Sequence, residues 1–185
     1  MLTGILTKLQ FKLKWTFFFP NIQIYNQMKI ELDANEIIAF EDFKLNWRWD
    51  DDHNPDISLE DKRQIIPLSI VESKRINKVI DYFESESNLY KTFESTDWIR
   101  ASSETKNSID KFSNDFQKLT QDYNENLFIS WNRSTCIYTT KGIFIKYWDD
   151  FCYPISDDIT IISELTNWVY FYNHIEVGQF WKRKK

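Results

Sequence analysis

From residue 127 to the C terminus, apolar and polar positions alternate with a period of two, and the apolar members are mostly aromatic or β-branched. A sheet requires that period, because successive side chains along a strand point to opposite faces. Strands are predicted near 127–132, 136–140, 143–151, 158–163, 167–173 and 175–181. The third carries Ile143, Ile145 and Tyr147 on one face and Phe144 and Trp148 on the other, so it reads as a central strand covered on both sides. Lys141-Gly142 is read as the turn that leads into it. A two-residue Asn173-His174 turn would pair Tyr172 with Ile175, Tyr170 with Val177 and Trp168 with Gln179.

Upstream, the period lengthens. Ser69 followed by Glu72 is a capping-box pattern, and Ile76, Val79, Ile80 and Phe83 then recur at helical spacing, predicting a helix over 69–86. A second helix over 104–123 places Ile109, Phe112, Phe116 and Leu119 on one face. Ser58, with Asp61 three positions on, caps a short helix that Pro67 stops. Residues 36–49 read as a strand, because Phe43, Leu45, Trp47 and Trp49 alternate with Lys44, Asn46 and Arg48, and 50–55 close it as a loop. Leu9, Phe11, Leu13 and Trp15 also alternate with polar residues. That segment is either an extra strand or, since Met28 opens the acidic body, part of an extension from an early start. The expected fold class is α+β. A C-terminal antiparallel β-meander of five to six strands carries the two main helices, in one domain over 28–185 with 1–27 as a basic, apolar addition.

Composition adds an aromatic emphasis. Of 185 residues 42% are hydrophobic and 28% charged, which is globular, and 17% are aromatic, so broad rings must fill much of the core. Residues 1–30 hold Lys8, Lys12, Lys14 and Lys29 and no acid, a charge of +4; the other 19 bases against 28 acids leave the body at −9. An acidic body disfavours nucleic acid and anionic membranes and favours a basic partner. The apolar run from Trp15 to Phe19 is too short for a signal peptide, and no span reaches the roughly 20 residues a membrane helix needs. Across the proposed hairpin Cys136 would face about Ile145 or Tyr147. Cys152 then lies beyond the Cα separation of about 7 Å that a disulfide tolerates. Both thiols are expected to be reduced, which fits a cytoplasmic compartment.

Candidate chemistry is sparse. Gly4, Gly142 and Gly178 are isolated, which excludes a P-loop and a dinucleotide fingerprint. Two His and two Cys exclude zinc-ribbon spacing, and no nucleophile elbow serves a Ser-His-acid triad. No catalytic residue, metal or cofactor is expected. Asp50, Asp51, Asp52, His53 and Asp56 form an oxygen-rich loop of the kind that holds Mg²⁺ or Mn²⁺ for a metal-assisted hydrolase. Adjacent Asp residues in a strand-to-helix connection are more often solvated. Asp149-Asp150 and Asp157-Asp158 bracket residues 151–156 and read as polar hairpin ends or as an acidic docking surface. Trp47-Arg48-Trp49 has the interleaving that stacks single-stranded bases, but two tryptophans at i, i+2 more simply share a buried face.

Three segments carry a resemblance: Glu41-Asp42-Phe43-Lys44-Leu45-Asn46-Trp47, Ile66-Pro67-Leu68-Ser69 and Gly142-Ile143-Phe144-Ile145-Lys146-Tyr147-Trp148-Asp149-Asp150-Phe151. In order over about 40–183, they resemble a family of small bacterial proteins known only as a domain of unknown function. These motifs are structural, and the resemblance transfers no catalytic residue. In general character the chain is also similar to bacterial toxin-immunity proteins, which are small, acidic and without a catalytic signature. The expectation is a non-enzymatic binding protein that neutralises a basic, nuclease-like toxin domain through Asp50, Asp51, Asp52, Asp149, Asp150, Asp157 and Asp158.

Overall fold

The computed structural model describes residues 28–50 and 57–185, and the expected extra strand over 9–15 lies outside them. Among the described residues eight strands form one antiparallel sheet: β1 (Ile66–Pro67), β2 (Phe93–Ser95), β3 (Ile99–Arg100), β4 (Asn126–Asn132), β5 (Thr135–Thr140), β6 (Ile159–Ser163), β7 (Trp168–Asn173) and β8 (Val177–Arg183). The order is β1-β5-β4-β6-β7-β8-β2, with β3 also paired to β8. Six helices accompany it: α1 (Leu59–Lys62), α2 (Ile70–Glu84), α3 (Glu86–Thr92), α4 (Lys106–Leu119), α5 (Lys141–Lys146) and α6 (Trp148–Phe151). No helix among the described residues is long and apolar enough to cross a membrane.

Both faces of the sheet are dry. Leu127, Ile129, Ile137, Ile161, Trp168, Tyr170 and Phe180 meet Phe112 and Phe116 of α4, Phe144 of α5 and Trp148 and Phe151 of α6. On the opposite face Phe128, Cys136, Ile162, Val169 and Trp181 meet Ile76, Ile80 and Phe83 of α2. Alternation along the long strands β4 to β7 therefore separates two cores rather than a core from solvent. The two main helices start as their sequences require. Ser69 Oγ accepts from the amides of Val71 and Glu72, and Thr105 caps α4 reciprocally with Ser108. Glu72 does not complete the box at Ser69. Its carboxylate accepts from the Asp33 amide and pairs with Arg75.

Three expectations are corrected. Residues 143–151 are not a central strand but the helices α5 and α6, started by Thr140 Oγ1 accepting from the Ile143 amide at 3.2 Å. Ile143, Phe144, Tyr147, Trp148 and Phe151 fall at i, i+1, i+4, i+5 and i+8, a helical stripe that also populates both faces of a strand. The exposed Lys146 and half-buried Asp149 and Asp150 occupy the other side. The meander is accordingly interrupted, and β5 and β6 flank β4 on opposite sides. Residues 36–49 form short 3₁₀ turns (Ala34–Glu36, Phe40–Asp42, Asn46–Trp49) instead of a strand, meeting the sheet edge through an Ile37–Leu68 bridge and packing Phe43 and Trp49 into the core. Finally, the β7–β8 loop holds three residues rather than two. Asn173 pairs with Val177, and Glu176 sits in the left-handed region at φ 61°. Tyr172 consequently faces Gly178, Tyr170 faces Phe180, and Ile175 points into solvent, 67% exposed. Both cysteines are free, and they are kept apart for a different reason from the one expected. Cys136 and Cys152 belong to the cores on opposite faces of the sheet.

Candidate functional site

One of the predicted carboxylates, Asp157, meets a buried arginine. In the Asn46–Trp49 turn the backbone directs both Arg48 and Trp49 inward, and Trp49 is completely enclosed. Arg48 Nη1 donates to Asp157 Oδ2 at 2.6 Å and Nη2 donates to Oδ1 at 3.0 Å, with side-chain exposures of only 4% and 8%. Nη1 also donates to the Phe151 carbonyl at 3.2 Å. Asp157 accepts further from the Tyr153 amide at 2.9 Å and from Ser156 Oγ at 3.3 Å. The rings of Trp47, Trp131 and Tyr153 lie around the guanidinium, with the Tyr153 centroid 4.4 Å away. This bidentate, shielded pair fastens the N-terminal turns to α6 and to the entry of β6.

Each predicted residue thus has a distinct position. Arg48, at 3% exposure, is engaged inside the protein, so Trp47-Arg48-Trp49 serves packing and is not laid out as a base-stacking strand. Asp157 is an internal counterion, although sequence placed it on the acidic surface. Its neighbour Asp158 is 64% exposed and accepts from the amide and Nδ1 of His174, contacts that hold its pKa below the usual carboxylate value. Asp50, Asp149 and Asp150 are half-buried, and Arg48 Nη1 lies 3.4 Å from the Asp150 carbonyl. Asp51 and Asp52, with His53 and Asp56, lie outside the described residues. Among the described residues, no group of three His, Cys, Asp or Glu side chains is arranged to hold a metal. A cleft of about 150 Å³ opens beside the pair, between Trp131, Thr135, Ser156 and Asp158.

Burial raises the carboxyls of Asp149 and Asp150, the latter to about 7, with Asp149 adding to the effect and Arg48 opposing it. An unfolded Asp ionises near about 3.9. The folded chain therefore binds more protons between these values. The group's contribution to stability is full below about pH 4 and is lost as pH rises through about 7. Asp150→Asn is expected to remove that slope, gaining on the wild type as pH rises. Urea midpoints of the two proteins across this range would check it, and parallel curves would contradict the assigned cause.

Sequence reasoning missed two features of this end of the molecule. Between Lys146 and Lys182 the chain has no Lys or Arg but carries Asp149, Asp150, Asp157, Asp158, Glu164 and Glu176, a gap visible in the sequence itself. The second is an exposed apolar tip. Ile155 is 90% exposed, and its amide donates to the His174 carbonyl at 2.9 Å, placing it beside Ile175. No protein-family model, curated protein or solved structure matches the chain.

Proposed function

We propose that the protein is a non-enzymatic binding protein of the immunity type, whose acidic end covers the basic surface of a partner such as a nuclease-like toxin domain. The observation that supports this reading is the cation-free stretch from 147 to 181, in which Asp157 is turned inward to Arg48 while its neighbour Asp158 stays exposed and Asp149 and Asp150 are half-buried. Such a field accelerates encounter with a cationic surface and repels acidic competitors. The metal-assisted hydrolase alternative depends on Asp50, Asp51, Asp52 and Asp56, of which only Asp50 is described.

The exposed Asp158 and the partly exposed Glu176 on the adjoining loop are the right ones to alter, since burial raises the carboxyls of Asp149 and Asp150 and reversing either would perturb folding. Asp158→Asn with Glu176→Gln deletes two charges yet keeps acceptors for the amides of His174 and Ser103. Tagged wild-type protein is expected to enrich a basic protein from its native host. The doubly neutralised variant is expected to associate with that protein about tenfold more slowly. Failure to enrich any basic protein, or equal affinity for both forms, would overturn the reading.

A further inference from the structure

We infer that the tip formed by residues 153–156 and 174–176 is the anchor of this acidic end, and that Ile155 seats in an apolar hollow rimmed by Lys or Arg on a basic protein partner. The inference rests on the binding function proposed above and assigns it a contact point.

Folding gives no reason to keep isoleucine at position 155. The side chain is 90% exposed, so burial contributes almost nothing. Its φ of 71° lies in the left-handed region, which disfavours a β-branched residue and which Asn or Gly adopts readily. The position thus combines full exposure of an apolar side chain with an unfavourable backbone conformation. Exposed strain of this kind points outward, to a contact made with another molecule.

The tip is held in place before any contact. The Ile155 amide is fixed to the His174 carbonyl, the Asp157 amide donates to the Tyr153 carbonyl at 3.2 Å, and Asp158 binds His174 through both its amide and its ring. Asp157 behind it is clamped by Arg48. A rigid loop loses little freedom on binding, which favours affinity. Ile175, 67% exposed on the adjoining loop, widens the apolar spot. Two isoleucines fall well short of the roughly 800 Å² that each partner buries in a stable complex, so they anchor a larger interface.

Charge selects the occupant. The segments 149–158 and 173–176 contain no Lys or Arg, and with Asp157 neutralised by Arg48 the carboxylates beside the tip are the exposed Asp158 and the partly exposed Glu176. An anionic membrane or nucleic acid would be repelled from an apolar tip so surrounded, whereas a hollow rimmed by cations is matched in both respects.

A photoreactive residue at position 155, compared with one at the exposed Lys78 on α2, tests this in the native host, with mass-spectrometric identification of each adduct. The adduct at 155 should contain a basic protein that the control position does not capture. Titration of that purified protein should show Ile155→Asn binding at least about tenfold more weakly, and Ile155→Val within about threefold of wild type. The Asn variant should retain or raise Tm, since Asn accepts the left-handed conformation. If a basic protein binds but crosslinks only at the control, or binds Ile155→Asn as tightly as wild type, the tip is not the anchor and the binding function survives. If no basic protein crosslinks or binds at all, both fall.

Discussion

Gly178→Ala is expected to destabilise the protein by about 3 kcal/mol or more, as overpacking of a closed core does. A Cβ built at Gly178 would lie 2.0 Å from Tyr170 Oη, 2.3 Å from Cζ and 2.7 Å from Cε2, all far inside van der Waals contact. Tyr170 has no room to yield. It is completely buried, packed edge-on against Phe116 and beside Phe112. The glycine is needed because the Tyr170 ring crosses diagonally over β8, which also accounts for the register that sets Tyr172 opposite Gly178. Tyr170→Phe should not rescue the alanine variant, because ring carbons remain within 2.7 Å. Tyr170→Leu should rescue part of the loss, giving a double variant more stable than the sum of the singles. Gly142→Ala is the internal control. Its nearest neighbour would be Thr140 Oγ1 at 3.9 Å and it sits in α5, so alanine there should be neutral or stabilise by up to about 1 kcal/mol. Urea denaturation of the wild type and of these variants checks the series. A tolerated Gly178→Ala would mean that the β7–β8 register is wrong.

Asp157→Ala should be about as severe, at about 3–5 kcal/mol, because it strands a guanidinium that is 4% exposed without its counterion. Arg48→Ala should cost similarly, since among the described residues it leaves the buried Asp157 carboxylate with the Tyr153 amide and the Ser156 hydroxyl as donors. Replacing both by apolar residues, Arg48→Met with Asp157→Leu, should cost far less than the sum, because neither charge is then left alone. The structural consequence should be local as well as global. The pair joins the Asn46–Trp49 turn to residues 151–157, so its loss should speed amide exchange at Tyr153, whose N–H donates to Asp157. Full protection there in Asp157→Ala would remove the pair from its role in fixing the acidic end.

The helices α2 and α4 were legible because their apolar residues keep one spacing and a Ser or Thr precedes each. Most of the long strands were legible by alternation. Residues 143–151 were not, since the same five apolar positions satisfy a strand buried on two faces and a helical stripe on one. The short edge strands β2 and β3 span three and two residues, too few to establish any period. The site was legible as chemistry but not as geometry. Asp157 and Asp158 are adjacent and identical in type, yet one turns in to Arg48 and the other out to His174. That division depends on a contact across 109 residues of chain, which no local pattern encodes. The tip was missed because an isolated Ile in a loop carries no sequence signal. Its exposure and left-handed backbone become visible only in three dimensions.

The most direct test of the acidic end as a docking surface is the association rate constant with the basic protein captured from the native host, measured at low and high ionic strength. Steering by the carboxylates predicts a rate that falls about tenfold or more between about 50 and 300 mM salt. The Asp158→Asn, Glu176→Gln variant should start slower and show a shallower decline. A rate indifferent to salt, and equal in wild type and variant, would contradict the account.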